Sequence, residues 1–101
     1  MQNVYQLIDH AILNHQVIRI YYLDAWRTVE PHMLADDKRH HLALSAWFVS
    51  GYSASGEGPG WRIYHLDRIH EVQVTEFTFD FTRPGYQPDG GKVFTNIRSA
   101  C

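Results

Sequence analysis

A chain of 101 residues is long enough for one hydrophobic core and too short for two. Its hydrophobic share of 45% and aromatic share of 14% exclude a disordered tail, and a formal charge of -2 excludes a global pull toward nucleic acid or anionic membrane, so any basic footprint is local. The lone cysteine, Cys101, excludes an internal disulfide and suits a reducing compartment; with no secretory leader and no apolar run of membrane-spanning length, the expected location is the cytoplasm.

The first predicted element is a helix. Val4, Leu7, Ile8, Ala11 and Ile12 recur at helical spacing and form one apolar stripe. Asn3 is a good N-cap, and Gln6 three residues on completes a capping-box pattern. Asn14-His15 ends it. A helix this short must dock on something, so Leu7 and Ile8 are expected to be buried. The run Val17 to Leu23 is rich in strand formers, with Ile18, Ile20 and Tyr22 on one face. Asp24-Ala25 is the expected turn, and Trp26 to Glu30 returns antiparallel. Pro31 is expected to end regular pairing or confine it to an edge. His32-Met33-Leu34 reads as extended and Ala35 to Arg39 as a polar turn.

His41 to Ser50 is the longest strand candidate; Leu42, Leu44, Ala46 and Phe48 alternate with Ala43, Ser45, Trp47 and Val49. Gly51 breaks it, and Ser53 to Gly60 is a glycine- and serine-rich loop. The stretch Trp61 to Ile69 follows, with apolar residues in both registers: Ile63 in one, Tyr64 and Leu66 in the other. That pattern predicts a strand covered on both faces, around which the rest of the chain is organised. The charged residues within it, Arg62, His65, Asp67 and Arg68, must then be paired, capped or used. Asp67-Arg68 is read as a corner or bulge before a last strand that runs to about Phe77. Residues 78–101 read as an irregular tail, punctuated by Pro84-Gly85, Pro88 and Gly90-Gly91. Its aromatics Phe79, Phe81, Tyr86 and Phe94 imply packing on the domain or on a partner chain. The whole is one domain, 1–101, with a core at about 4–77. Its predicted class is mostly β with an N-terminal helix, a bent sheet of about five strands closing into a small barrel, since closure removes exposed edges.

Three fragments in order resemble the WYL domain family. Ile18, Ile20 and Tyr22 match its early strand, and Arg27, Val29, Glu30, Pro31 and Leu34 match the next. Tyr64-His65-Leu66-Asp67-Arg68-Ile69 is similar to its last signature, with His65 in place of an arginine. Leu42-Ala43-Leu44 stands where the naming tripeptide belongs. The resemblance implies an Sm-like or SH3-like barrel used in bacterial transcription regulation as a ligand-sensing or nucleic-acid-binding module. Such domains usually follow a DNA-binding helix-turn-helix domain. This chain has no room for one, so the expectation is a stand-alone copy acting with a separate DNA-binding protein. The match assigns ligand-facing roles to Arg68, His65 and Arg27.

The residues themselves add Trp47, Arg62 and Tyr64 to that set, because aromatic faces stack bases and arginine forks hold phosphates. The expected ligand is an anion, a nucleotide or short single strand, with tighter binding below neutral pH as His65 gains charge. The plain alternative is that the aromatics are core and the arginines pair with Glu30, Asp67 and Glu71. Seven histidines raise the question of metal, but His40 and His41 point to opposite faces of a strand, and His65 and His70 differ in parity. No helical His pair or Cys pair exists, so neither metal nor cofactor is expected. Gly51-Tyr52-Ser53-Ala54-Ser55 lacks the second glycine of a nucleophile elbow, and Gly56-x-Gly58-x-Gly60 lacks the Lys-Ser/Thr of a phosphate loop. The protein is therefore expected to be no enzyme. The aromatic tail suggests a homodimer, and a purely structural assembly protein is the alternative reading.

Overall fold

The computed structural model describes residues 3–101. Met1 and Gln2, part of the start read for a leader, lie outside the described residues. Helix α1 runs Val4–Leu13, followed by strands β1 (Gln16–Tyr22), β2 (Ala25–Asp37), β3 (Leu42–Gly51), β4 (Gly60–His65), β5 (Ile69–Thr78) and β6 (Phe94–Ala100). A single 3-10 turn, Leu66–Arg68, links β4 to β5 and supplies the expected corner.

The capping box is formed as the sequence predicts. The Gln6 N–H donates to Asn3 Oδ1 at 2.8 Å, and the Asn3 N–H donates to Gln6 Oε1 at 3.3 Å. Ile8, Ala11 and Ile12 are fully buried. Leu7, expected to be buried, is only half-buried at the flank of the stripe, packed against the core. At the other end His15 takes a left-handed conformation, φ 52°, and turns the chain into β1.

β1 and β2 form a tight hairpin in register Tyr22↔Ala25. The turn residues are Leu23 and Asp24, one position earlier than expected, both with positive φ, 48° and 65°. That is the backbone of a two-residue hairpin matched to the strand twist, made here without the usual glycine. The larger correction concerns β2. It does not stop at Pro31 but continues for 13 residues to Asp37. A register shift between Pro31 and Met33 absorbs the proline, which lacks the N–H a regular ladder needs. The strand bends there and serves two neighbours on one side: β1 along its first half and β6 along its second. β3 accompanies it on the other side.

All six strands form one antiparallel sheet in the order β4-β3-β2-β1-β5, with β6 also on β2. The mostly-β bent sheet with one helix is therefore as predicted. It has six strands, not five, and is not closed, because β4 and β5, at the two ends of the order, do not pair. The spine is β2, not the Trp61 stretch, whose strand β4 lies at an end of the sheet. The reason is pairing: β2 has three partners, β4 only β3.

Ile18, Ile20, Val29, Leu34, Leu44, Ala46 and Tyr64 of the sheet form one buried core with Ile8, Ala11 and Ile12 of α1. The tail is more ordered than its sequence pattern suggests. It crosses the other face, where Phe79 lies buried between the rings of His15 and His32, with centroids at 5.4 and 5.0 Å. It ends as β6, paired to β2 at Met33↔Ala100 and Asp37↔Phe94.

Candidate functional site

Arg27 sits on the core face of β2 opposite Ile20, at the open end of the core. It is 8% exposed, yet no carboxylate pairs with it among the described residues. Its guanidinium lies 5.1 Å from the Tyr22 ring, 5.3 Å from Tyr52 and 5.9 Å from Tyr64. These faces supply the negative quadrupole that a desolvated cation needs. Its Nε–H, itself buried, has no hydrogen-bond partner among the described residues. Gly51 makes this crowding possible. It faces Arg27 across the ladder with φ 107°, and a Cβ there would lie 2.7 Å from the Trp26 carbonyl oxygen, so a side chain is excluded. The chain then turns Tyr52 over Arg27, and the Tyr52 N–H donates to the Trp26 carbonyl.

A cavity of about 190 Å³ opens on this cluster, lined by Tyr22, Arg27, Phe48, Tyr52, Ser53, Ala54, Ser55, Arg62, Ile63 and Tyr64. Arg62 is held over the Phe48 ring at 5.3 Å, with Nη1 donating to the Trp61 carbonyl and Nη2 to the Gly58 carbonyl. The glycine- and serine-rich loop thus anchors one arginine and borders the site. Burial pushes the Tyr64 phenol above its ordinary pKa, against the pull of both arginines, so it stays a neutral hydroxyl beside them.

Of the six predicted site residues, the fold brings Arg27, Arg62 and Tyr64 to one cavity. The other three are elsewhere. Arg68 is exposed on the 3-10 turn, with no ion pair to Asp67 or Glu71. Trp47 lies on the opposite face, edge-on to Trp61 at 5.7 Å and under the Arg83 guanidinium at 5.2 Å. His65 leaves the far end of β4 toward Asp37, its Nε2 3.4 Å from Oδ2. Only its backbone touches the cavity wall, donating from N to the Tyr22 hydroxyl at 3.2 Å. Sequence reasoning missed Tyr52, whose only signal is its place after the glycine that ends β3.

The expected pairing of Glu30 with a core arginine is replaced by one with the tail. Arg83 grips the buried Glu30 carboxylate with two bonds, Nε to Oε1 at 2.7 Å and Nη2 to Oε2 at 2.9 Å, which raises the arginine's pKa further. Beside it His32 is fully buried. Its Nε2 accepts from the Arg83 N–H at 3.2 Å, so its Nδ1 carries the proton donated to the Glu30 carbonyl at 2.8 Å. That tautomer is neutral, and burial holds the imidazole below its usual pKa. Tyr86 donates to the carbonyls of His32 and Cys101, and burial first, then the negative charge at Cys101, pushes its phenol up to about 12. A second cavity of about 410 Å³, largely apolar, lies between tail and sheet against Met33, Trp61, Ile63, Tyr86 and Phe94.

The family model described as the WYL domain matches residues 3–74. The chain belongs to the WYL domain family. No curated protein and no solved structure matches it. WYL domains are ligand-sensing, regulatory and non-catalytic as a family. The matched segment contains every residue lining the Arg27 cavity and excludes the tail. No described helix is long and apolar enough to cross a membrane.

Proposed function

We propose that this WYL domain senses an anionic ligand, a nucleotide or the end of a short single strand, in the Arg27 cavity, and passes the binding to a DNA-binding partner protein. The carrying observation is Arg27 itself: a buried guanidinium without a carboxylate, with an unbonded Nε–H, set among three tyrosine rings. Such a cation is available to an incoming anion in a way that a paired one is not. The cavity admits a phosphate-sized group. Tyr52 supplies an aromatic face at the mouth, where it is 52% exposed, and Arg62 supplies a second fork. Arg68 lies outside this wall and contributes at most long-range attraction.

Thermal-shift screening with nucleotides and short oligonucleotides, followed by titration calorimetry, tests the reading. Arg62→Ala is expected to weaken binding about tenfold or more, since a charge-assisted hydrogen bond is worth about 1.5–3 kcal/mol. Arg68→Ala is expected to change it much less. No binding by the wild type, or equal affinity in Arg62→Ala, overturns the proposal.

The alternative, a self-associating assembly protein, draws on one specific feature. Phe77 in β5 and Phe81 just after it are 66% and 83% exposed, and β5 ends the strand order with one edge unpaired. A homodimer through that edge is compatible with ligand sensing. Light scattering of the full chain and of a Phe77→Ser, Phe81→Ser variant distinguishes it: a monomeric wild type removes it.

A further inference from the structure

Asp37, His41 and His65 come from three different places in the chain: the last residue of β2, the turn after it, and the last residue of β4. Their side-chain donors converge. His65 Nε2 is 3.4 Å and His41 Nδ1 3.8 Å from the same carboxylate oxygen, Asp37 Oδ2, and the three donor atoms all lie within 4.8 Å of one another. The other oxygen, Oδ1, is already committed, accepting from the backbone N–H groups of Arg39 at 2.8 Å and His41 at 2.9 Å. The turn is further closed by the Asp37 N–H to the His41 carbonyl and the His40 N–H to the Asp37 carbonyl, both 2.9 Å. The carboxylate is thereby fixed by the backbone, with one free oxygen aimed at two imidazoles.

We propose that Asp37, His41 and His65 form a binding site for a first-row divalent transition metal, Zn²⁺ or an ion of similar preference. Donors held about 2.0–2.1 Å from a tetrahedral ion stand about 3.3 Å apart, so the His65–Asp37 separation of 3.4 Å already matches a ligand edge, and His41, at 3.8 Å, is the ligand that has to close in. Two imidazoles and one carboxylate suit Zn²⁺, Co²⁺ or Ni²⁺ and not the oxygen-seeking Mg²⁺ or Ca²⁺. The backbone bonds to Oδ1 orient the carboxylate as outer partners orient ligands in metal sites. Three protein ligands leave a position open to water or an anion. The histidines are half-buried and exposed, at 31% and 58%, so an ion has free entry. The competing account is that the two imidazoles merely hydrogen-bond to Asp37, their rings 5.5 Å apart over one carboxylate oxygen, and it predicts no saturable metal binding.

The experiment is titration of the full chain carrying Cys101→Ser, which removes the thiol as a rival ligand, with Co²⁺ and then Zn²⁺. Absorption reports Co²⁺ coordination, and the melting temperature reports linkage to folding. One Co²⁺ per chain is expected, with the intense bands of a four- or five-coordinate ion, displaced by Zn²⁺. His41→Ala, His65→Ala and Asp37→Asn are each expected to lose at least tenfold in affinity. Asp37→Asn retains an oxygen for the two backbone N–H groups, so it separates loss of metal from loss of the turn. His10→Ala and His70→Ala, outside the cluster, are expected to bind as the parent does. Absence of saturable binding, or an equal loss in the two outside variants, overturns the site.

Discussion

Arg27 is the residue whose chemistry and cost are hardest to separate. A buried guanidinium facing only tyrosine rings gives up much of its hydration, and cation–π contacts return about 0.5–2 kcal/mol each. Replacing a buried charge by an apolar side chain of similar length is often neutral or stabilising. Arg27→Met is therefore expected to leave stability unchanged or raise it by about 1–2 kcal/mol in urea denaturation, while abolishing stabilisation by any nucleotide that the wild type binds. A strongly destabilised Arg27→Met would instead make Arg27 a structural residue. His32 supplies the opposite case, a neutral group whose charging is harmful. Its surroundings include Glu30, which favours the charged form, and Arg83 and His15, which oppose it; burial outweighs them, and the pKa is lowered. The unfolded chain then takes up the proton more readily than the native one. The stabilising contribution is fully present above about pH 6.5 and is lost as pH falls through the lower native value. Protonation also places an N–H against the Arg83 N–H. Denaturation midpoints measured between pH 7.5 and 5 are expected to fall in the wild type. They are expected to fall less in His32→Gln, which retains hydrogen-bonding capacity without the charge.

Among the elements, α1 was the most legible. Its capping box and stripe are local, and periodicity reports local structure well. Ile8 is fully buried, so Ile8→Ala is expected to cost about 2–5 kcal/mol, whereas the half-buried Leu7 is expected to cost less. Equal effects would mean that the helix docks on a different face. The faces of β1 and β3 were legible for the same reason, since Ile18, Ile20, Ala46 and Phe48 alternate with more exposed neighbours. The path of β2 was not. Pro31 signals a break, and the bulge that accommodates it depends on β3 partners more than ten residues further along the chain, Ala46 opposite Pro31 and Ser45 opposite Met33. β6 was hidden because its side chains are mostly exposed at an edge and so carry no alternation. The candidate site divides in the same manner. Arg27, Arg62 and Tyr64 were identifiable by residue type and family match, but the place of Tyr52 over Arg27 and the approach of His65 to Asp37 exist only through strand pairing. Parity arguments about neighbouring histidines cannot see a pair brought together from the ends of two different loops.

At the scale of the whole molecule, the family match and the folding unit do not coincide. The match ends at residue 74, yet the outer face of the sheet is finished by residues beyond it. Phe79 covers His32, Arg83 neutralises Glu30, and the Trp61 indole N–H donates to the Pro84 carbonyl at 2.7 Å. β6 satisfies the second half of β2, and Asp36 there accepts from Asn96 at 3.1 Å and Arg98 at 3.3 Å, which holds its carboxyl below the usual range. Deleting the chain after Phe77 would therefore leave a buried-site carboxylate without its cation, a neutral imidazole without its lid and the second half of β2 with one edge unpaired. Removing one side of such a pair alone costs about 3–5 kcal/mol when both groups are buried, and less here because Arg83 is 41% exposed. Against a typical stability of about 5–15 kcal/mol, the combined loss is expected to bring the truncated chain close to unfolding. Arg83→Ala in the full chain isolates the ion pair and is expected to lower the urea midpoint by a fraction of that effect, equivalent to about 1–2 kcal/mol. The rival view assigns the tail to self-association. It predicts that truncation lowers the mass seen by light scattering while the midpoint, compared at equal protein concentration, stays where it was. A truncated chain that is as stable as the full one, with an unchanged denaturant slope, would show that the tail is an appendage of the domain and not its second wall.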